Sequence, residues 1–336
     1  MIFIKHNLIQ GNLAHEIVQP FAVAALALVG TSAALAQSSV TLYGRVNTTV
    51  EHQKDGNVSK NGLFNNSSRF GFKGQEDLGG GLKAGFQLES GFDSSTGASS
   101  SRFFGRQSEV NLAGGFGMVR LGNFTSESYF ATADFISNHN HDTGSSSDAL
   151  YAYPANDINK IAYRTPSLGG ATFEAGWAMH EQASGTGGKN SLDLAANYEI
   201  GKLGLGAGYS KLGDQNQFAV RASYSTGPFV LGAYVQRDKN VFVATGGNRT
   251  NLRVSAAYIM GVSEFHVNVG RAGDYSKVND SAATQYTLGY NYNLSKRTKV
   301  YSYYTRVNNN KAASYGGVSA AGNDFSSIAV GLRHNF

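Results

Sequence analysis

The sequence predicts an all-β protein: one sixteen-stranded antiparallel transmembrane β-barrel with an infolded constriction loop. Three observations carry this expectation. Apolar and polar side chains alternate along most of the chain, glycine is abundant while proline is scarce, and the joins between segments are short at one end and mostly long at the other. The alternation is plain in Val40–Asn47, where Val40, Leu42, Gly44 and Val46 share one side of an extended chain and Thr41, Tyr43, Arg45 and Asn47 the other. It returns in Gln285–Leu294, where Tyr286, Leu288, Tyr290, Tyr292 and Leu294 oppose Gln285, Thr287, Gly289, Asn291 and Asn293, and again at the carboxy terminus, where Ile328, Val330 and Leu332 oppose Ser327, Ala329 and Arg333.

The amino terminus is set apart first. Phe21–Ala36 is an apolar run ending in small residues, and Ala34-Leu35-Ala36 before Gln37 fits the small-x-small cleavage rule of a secretory signal. The run is short for a membrane helix, which needs about 20 apolar residues. Residues 1–36 therefore read as a signal peptide with an unusually long amino-terminal extension, and 37–336 as a single barrel domain. Lys5 and Glu16 cancel, so the mature chain keeps the formal charge of +5. The absence of cysteine excludes disulfides and thiolate metal sites. No concentrated block of Lys or Arg marks a nucleic-acid surface, and no nucleic acid is expected as a partner.

In order along the chain, strands are expected near 39–53, 67–77, 82–92, 105–113, 117–124, 157–165, 170–180, 189–200, 202–211, 216–226, 228–237, 249–260, 263–273, 282–294, 298–308 and 325–336. Short joins fall at Leu78–Gly81, Gly114–Phe116, Pro166–Gly169, Gly201, Gly227, Gly261–Val262 and Ser295–Arg297. The other rim carries longer ones: Lys54–Asn66, Asp93–Phe104, Thr125–Asn156, Glu181–Gly188, Asp238–Asn248, Asp274–Ser281 and Asn309–Asp324, with the brief Leu212–Gln215 as the exception. That asymmetry is the organisation of an even-stranded membrane barrel. A soluble β-sandwich also needs two unlike faces, but its strands are usually about 5–6 residues long, whereas these meet the roughly 9–11 that a tilted membrane strand requires. Tyr198, Tyr209, Tyr224, Tyr258 and Tyr290 lie near strand ends on the apolar face, where aromatics bridge hydrocarbon and headgroups.

Sixteen strands leave a wet lumen that side chains do not fill. Strand phase turns Arg45, Arg69, Arg120, Arg164 and Arg333 inward as the candidate basic wall. The Thr125–Asn156 connection is the candidate infolded loop, with Glu127, Asp134, Asp142 and Asp148 as its acids and Tyr129, Phe130 and Phe135 available to fasten it. An acidic loop facing a basic wall imposes a transverse field on hydrated solutes. The competing role of the arginines is rigidity, through pairing with acids or loop carbonyls. The net sign favours anions weakly.

Chemical motifs offer little else. His139, His141 and Asp142 in "NHNHD" read as a polar turn before a metal site, and "GLGAG" at 204–208 lacks the spacing and strand-to-helix setting of a dinucleotide loop, so its glycines read as small inward-facing positions. There is no Walker A loop and no GxSxG elbow. An outer-membrane hydrolase and a surface adhesin are the alternatives from other classes, and neither an enzyme activity nor a cofactor or metal is expected.

Four segments together resemble the general-diffusion porins of β-proteobacterial outer membranes: "SSVTLYGRVN" at 38–47, "SSRFGFKGQEDLGGGLKAGFQLESGF" at 67–92, "RQSEVNLAGGFGMVRLG" at 106–122 and "YNLSKRTKVYSYY" at 292–304, with the terminal "GLRHNF". The resemblance implies an outer-membrane porin of a Gram-negative bacterium, a homotrimer surrounded by lipid and lipopolysaccharide, passing ions and small hydrophilic solutes passively. It implies that residues 125–156 are the infolded third loop, and that Phe336 is the aromatic signal read by the outer-membrane assembly machinery. Arg45, Arg69, Arg120 and Arg164 would be equivalents of the pore-wall positives. The runner-up is a specialised anion-selective porin with a solute-binding site in the constriction. Asn123 and Asn335 depart from the family pattern, so ion preference does not carry over from the resemblance.

Overall fold

The computed structural model describes residues 39–133 and 144–336. The expected signal peptide, the loop acids Asp134 and Asp142, and Phe135, His139 and His141 lie outside the described residues. Among the described residues, seventeen strand segments make one sheet. They are β1 (Ser39–Asp55), β2 (Val58–Asn65), β3 (Arg69–Gly79), β4 (Leu82–Gly91), β5 (Gln107–Gly114), β6 (Gly117–Asn123), β7 (Lys160–Arg164), β8 (Ala171–Ala178) and β9 (Ser191–Ile200). The series continues with β10 (Leu203–Leu212), β11 (Gln215–Thr226), β12 (Phe229–Lys239), β13 (Asn248–Met260), β14 (Ser263–Ala272), β15 (Ala283–Asn293), β16 (Thr298–Asn309) and β17 (Phe325–Asn335).

Every neighbour is antiparallel, and the last strand returns to the first: β1 pairs with β17 from Arg45↔Asn335 to Asp55↔Phe325. Reciprocal backbone bonds between Gly44 and Phe336, 3.0 and 3.1 Å, finish the seam. A closed ring leaves no strand edge to be desolvated in hydrocarbon.

Seventeen segments fill sixteen positions because β2 and β3 are one interrupted strand. Both lie against the same edge of β1, β2 through Thr48↔Asn65 to Asp55↔Val58 and β3 through Ser39↔Gln75 to Arg45↔Arg69. The expected long connection Lys54–Asn66 is therefore corrected: the turn is only Gly56-Asn57, and Val58–Asn65 returns as strand. Its string of Asn, Gly and Ser has the composition of a loop, but the long β1 supplies a full ladder for it. The interruption sits at Ser67, whose φ is 58°. Asn47 of β1 stitches across it, donating from its side chain to the Asn66 carbonyl at 2.9 Å and from its backbone to Ser68 Oγ at 3.0 Å.

The two faces have the inverted polarity of a membrane barrel. Val330, Ile328 and Leu288 are 63, 58 and 55% exposed, whereas Ser327, Ala329 and Thr287 between them are each 1% exposed. Phe229, Tyr258, Phe265 and Tyr290 are direct cross-strand neighbours on the outer face, with centroids 5.1, 6.5 and 5.1 Å apart in sequence. Beside the short-turn rim they form an aromatic girdle. The short turns use left-handed glycine, as at Gly227 (φ 54°) and Gly261 (φ 60°), where an L side chain would be strained.

Placing a charge on this surface tests the orientation. Leu288→Arg, midway along β15, is expected to cost about 2–4 kcal/mol in urea unfolding from lipid vesicles, and Leu288→Met under about 1.5 kcal/mol. An Arg variant as stable as the parent would show that this face does not meet hydrocarbon.

Candidate functional site

The longest connection, between β6 and β7, turns into the lumen as a strap in its described parts, residues 124–133 and 144–159. Its first arm carries the short helix α1 (Glu127–Thr132). This helix is seated on β9–β11: Ser128 Oγ donates to Asp193 Oδ1 at 2.7 Å and lies 2.9 Å from Ser210 Oγ, and Arg221 Nε donates to the Ala131 carbonyl at 2.7 Å. Arg221 thus meets the carbonyl end of the helix, where a cation is favoured. The inward glycines of "GLGAG" make the seat possible. A Cβ on Gly206 would collide with the Ala131 carbonyl, and one on Gly208 with that of Ser128.

Side-chain amides hold the returning arm where no backbone ladder reaches it. Gln236 accepts from Ala152 N–H at 2.8 Å and donates to the Ala152 carbonyl at 2.9 Å. Gln285 does the same for its stretch, accepting from Ala149 N–H at 2.9 Å and donating to the Ser147 carbonyl at 2.8 Å. Asn251 donates to the Leu150 carbonyl at 3.0 Å. The Leu150 side chain is itself enclosed with Val307, Tyr315 and Phe325 in an apolar cluster inside the barrel. Ser145 donates to Glu51 at 2.8 Å. Tyr129 packs edge-on against Tyr151 and Tyr153, at 5.7 and 5.4 Å. It joins the two arms of the strap and packs against a cluster that includes Ala219 and Tyr234 of the wall; Gln236, Gln285, Asn251 and Leu150, which sequence reasoning missed, add to that fastening. Inward strand phase was the available signal for the three amides.

The acids and bases expected to face each other across the lumen are partly spent on each other. Arg120 makes a fork onto Glu109 Oε2, at 3.0 and 2.6 Å, and sits 3.5 Å from Glu174. Arg164 pairs with Glu174 at 2.8 Å and with Glu127 at 2.5 Å, and Asn197 donates to Glu127 at 3.0 Å. Asp148 takes Arg253 at 2.7 Å and the Tyr234 hydroxyl at 2.5 Å. In both of these groups, on β6–β8 and on β13, the arginines chiefly lock the strap and the wall.

A different arrangement occupies β16, β17, β1 and β3. Register places Arg45 directly beside Arg69 and Arg333 directly beside Lys299, like charges as cross-strand neighbours. Arg106 joins them just before β5, 2.7 Å from Glu89, with Arg69 3.6 Å from the same carboxylate. Glu264 lies 3.9 Å from Lys299, and Glu51 is held by the hydroxyls of Thr49, Tyr303 and Ser327. Arg45, Arg69, Arg106, Lys299 and Arg333 thus outnumber Glu51, Glu89 and Glu264. Arg106 and Lys299 were not expected as wall residues. Phe336 ends the seam strand, with its ring against Gly44. Among the described residues no group of three or more His, Asp or Glu is placed to hold a metal ion.

Burial raises the pKa of Glu127 above its ordinary 4.5, against the pull of Arg164 and with a further push from Glu174. A folded pKa above the unfolded one means that folding favours the protonated acid, so this group stabilises the fold in acid and loses that contribution as pH rises through the folded value. In the pore, acidification removes this negative charge before that of an ordinary carboxylate.

Comparison with known proteins places the chain among outer-membrane channels. The profile of the family described as Gram-negative porin matches residues 22–312. Outer membrane porin protein 32 of Delftia acidovorans is 34% identical, covering 94% of this chain and 99% of its own length. The major outer membrane protein P.IB of a Neisseria meningitidis serogroup A strain is 28% identical over 90% of this chain and 95% of its own. Among solved structures, the anion-selective porin from Comamonas acidovorans matches with a TM-score of 0.77 and 31% identity, over 89% of this chain and 100% of that one.

Two outcomes follow from the geometry of the strap. Gly206→Val is expected to unseat α1 and change single-channel conductance and the largest sugar admitted in liposome swelling, while Ala207→Val, on the outer face, leaves both unchanged. As pH is lowered from neutrality, the anion-to-cation permeability ratio of the parent channel should begin to rise before ordinary carboxylates titrate, and that of Glu127→Gln should start higher and stay flatter over that range, as read by reversal potentials in a salt gradient.

Proposed function

The chain belongs to the Gram-negative porin family, and from that premise we infer how its lumen sorts solutes. It is an outer-membrane porin, a water-filled channel through which ions and small hydrophilic solutes diffuse down their gradients. The reading proposed here is a weak preference for anions. One observation carries it: the excess of Arg45, Arg69, Arg106, Lys299 and Arg333 over Glu51, Glu89 and Glu264 on one sector of the wall. Charges of one sign side by side raise the local concentration of counter-ions and lower their entry cost. Arg120 and Arg164, paired with Glu109, Glu174 and Glu127, contribute to shape more than to this field.

The second reading, a specialised anion channel with a solute-binding site in the constriction, is favoured by the direct juxtaposition of Arg45 and Arg69, since two guanidinium groups suit a carboxylate or phosphate. A saturating flux and block by the bound anion would mark that version, and linear flux the general one. No bond-making step is proposed; the residues act by excluding, orienting and screening.

The rest of the proposal concerns assembly. Residues 1–36 act as a cleaved leader and 37–336 as the barrel. Phe336 is presented to the outer-membrane assembly machinery. The apolar outer faces of the terminal and early strands, with Leu42, Val46, Phe72, Ile328 and Val330 all exposed, meet neighbouring copies in a homotrimer. The rest of the belt meets lipid and lipopolysaccharide.

Planar-bilayer recording across a salt gradient tests the ion preference. The reversal potential should have the anion sign, and combining Arg45→Gln with Arg333→Gln should lower the permeability ratio about fourfold. That figure takes about 0.2 kcal/mol for a unit charge about 8 Å from an ion, screened over about one Debye length, which lowers the anion's energy and raises the cation's and so changes their ratio about twofold for each arginine. A cation-signed potential in the parent would overturn the anion reading.

A further inference from the structure

The strap is tied to the outer mouth as well as to the wall, and one side chain makes both connections. Arg249, near the start of β13, is fully enclosed together with Asp238 of β12. Its Nε donates to Asp238 Oδ1 at 2.7 Å, its Nη1 to the Tyr315 hydroxyl at 2.9 Å and its Nη2 to the Leu150 carbonyl of the strap at 2.8 Å. Around the guanidinium stand the rings of Phe242, Tyr315 and Tyr275, with centroids 4.8, 5.3 and 5.4 Å away. Tyr275 closes the set by donating its hydroxyl to Asp238 Oδ2 at 2.6 Å and accepting Phe242 N–H at 3.1 Å. Phe242, Tyr275 and Tyr315 come from three separate outer connections, after β12, β14 and β16. They converge on one cation whose remaining arm holds the strap.

We propose that Arg249 is a positioning residue that couples the outer loops to the aperture, so that a load on those loops is transmitted to the strap at Leu150. The chemistry suits the task. A guanidinium is planar and presents its N–H groups in a fixed fork, so it bonds a carboxylate, a hydroxyl and a carbonyl at once; an ammonium is a point charge without that geometry. An enclosed ion pair is a poor source of stability compared with apolar packing of the same volume, and its well-attested use is to specify one arrangement. Arg249 and Asp238 lie out of reach of the permeating solution. Their effect on transport must therefore pass through the position of the strap and not through the field on the ions.

The test is single-channel recording of the full protein, with folding verified by heat-modifiable mobility on gels. This inference rests on the channel reading. Absence of channels from the folded parent would remove that reading, whereas the outcomes below bear on the coupling alone. Arg249→Lys, which keeps the charge and loses the fork, should raise the frequency of brief partial closures about tenfold and leave the reversal potential unmoved. Tyr315→Phe, which spares the ion pair with Asp238, should act in the same direction more weakly. The chain lacks cysteine, so Ala321→Cys in the connection after β16 can be biotinylated and loaded with streptavidin. The load should change closure frequency when Tyr315 is present and not in the Tyr315→Phe background. Folded Arg249→Lys channels that close no more often than the parent, or a streptavidin effect independent of Tyr315, would overturn the proposal. So would a shift in reversal potential like that of Arg45→Gln, since it would place Arg249 in the ion-sensing wall.

Discussion

The constraint on which everything else rests is that a peptide group in hydrocarbon has no water to bond. An open sheet edge there costs several kcal/mol for each unpaired group, so the strand nearest each end of the chain must find the other. β1 and β17 do so along their common length, and Gly44 and Phe336 complete the seam. Once the ring closes, the alternation of side chains has only one reading. The greasy residues are outside because lipid is outside, and Asn47, Thr49, Glu51 and their neighbours face a lumen that must supply partners for them. The interrupted strand β2–β3 shows how strict the demand is. Where the ladder breaks at Ser67, Asn47 supplies bonds from both its backbone and its side chain.

A wide wet cylinder is unselective unless something crosses it, and a loop crossing it has no strand to pair with. The strap meets that difficulty with side chains that imitate backbone. Gln236 and Gln285 each offer one acceptor and one donor to the strap, the pattern of a neighbouring strand, while Leu150 gains burial against Tyr315 and Phe325. Glycines at 206 and 208 do the complementary work by removing bulk beneath α1. The result is a constriction whose position is over-determined on one flank and which answers to the outer loops through Arg249.

Charge inside the lumen is divided by function. Arg120, Arg164 and Arg253 stand close enough to carboxylates that their fields largely cancel a short distance away, and their geometry is what matters. Arg45 stands beside Arg69 and Lys299 beside Arg333. Although Glu89 offsets part of the charge of Arg69 and Arg106, and Glu264 part of that of Lys299, the sector keeps more cations than carboxylates. Screening over about 8 Å at physiological salt limits any of these groups to ions passing near that wall. The same chain can therefore spend part of its luminal charge on locking the strap and still present an anion with a favourable side.

Much was legible in the sequence because period-two alternation and short glycine turns are local properties that need no tertiary context. They determined the strand count, the outer face and the rim of short turns, and they marked 125–156 as the loop that enters the lumen. Inward phase likewise singled out Arg45, Arg69, Arg120, Arg164 and Arg333 as candidates for the wall. Composition misled at Val58–Asn65, because a long partner strand can hold residues whose own preference is for a loop. What the tertiary structure alone decided is who pairs with whom. Phase says that a side chain faces the lumen, but whether Arg120 faces an ion or Glu109, and whether Arg249 is a pore residue or an enclosed pin, depends on distances between strands far apart in sequence. Those distances exist only once β17 has returned to β1 and closed the ring.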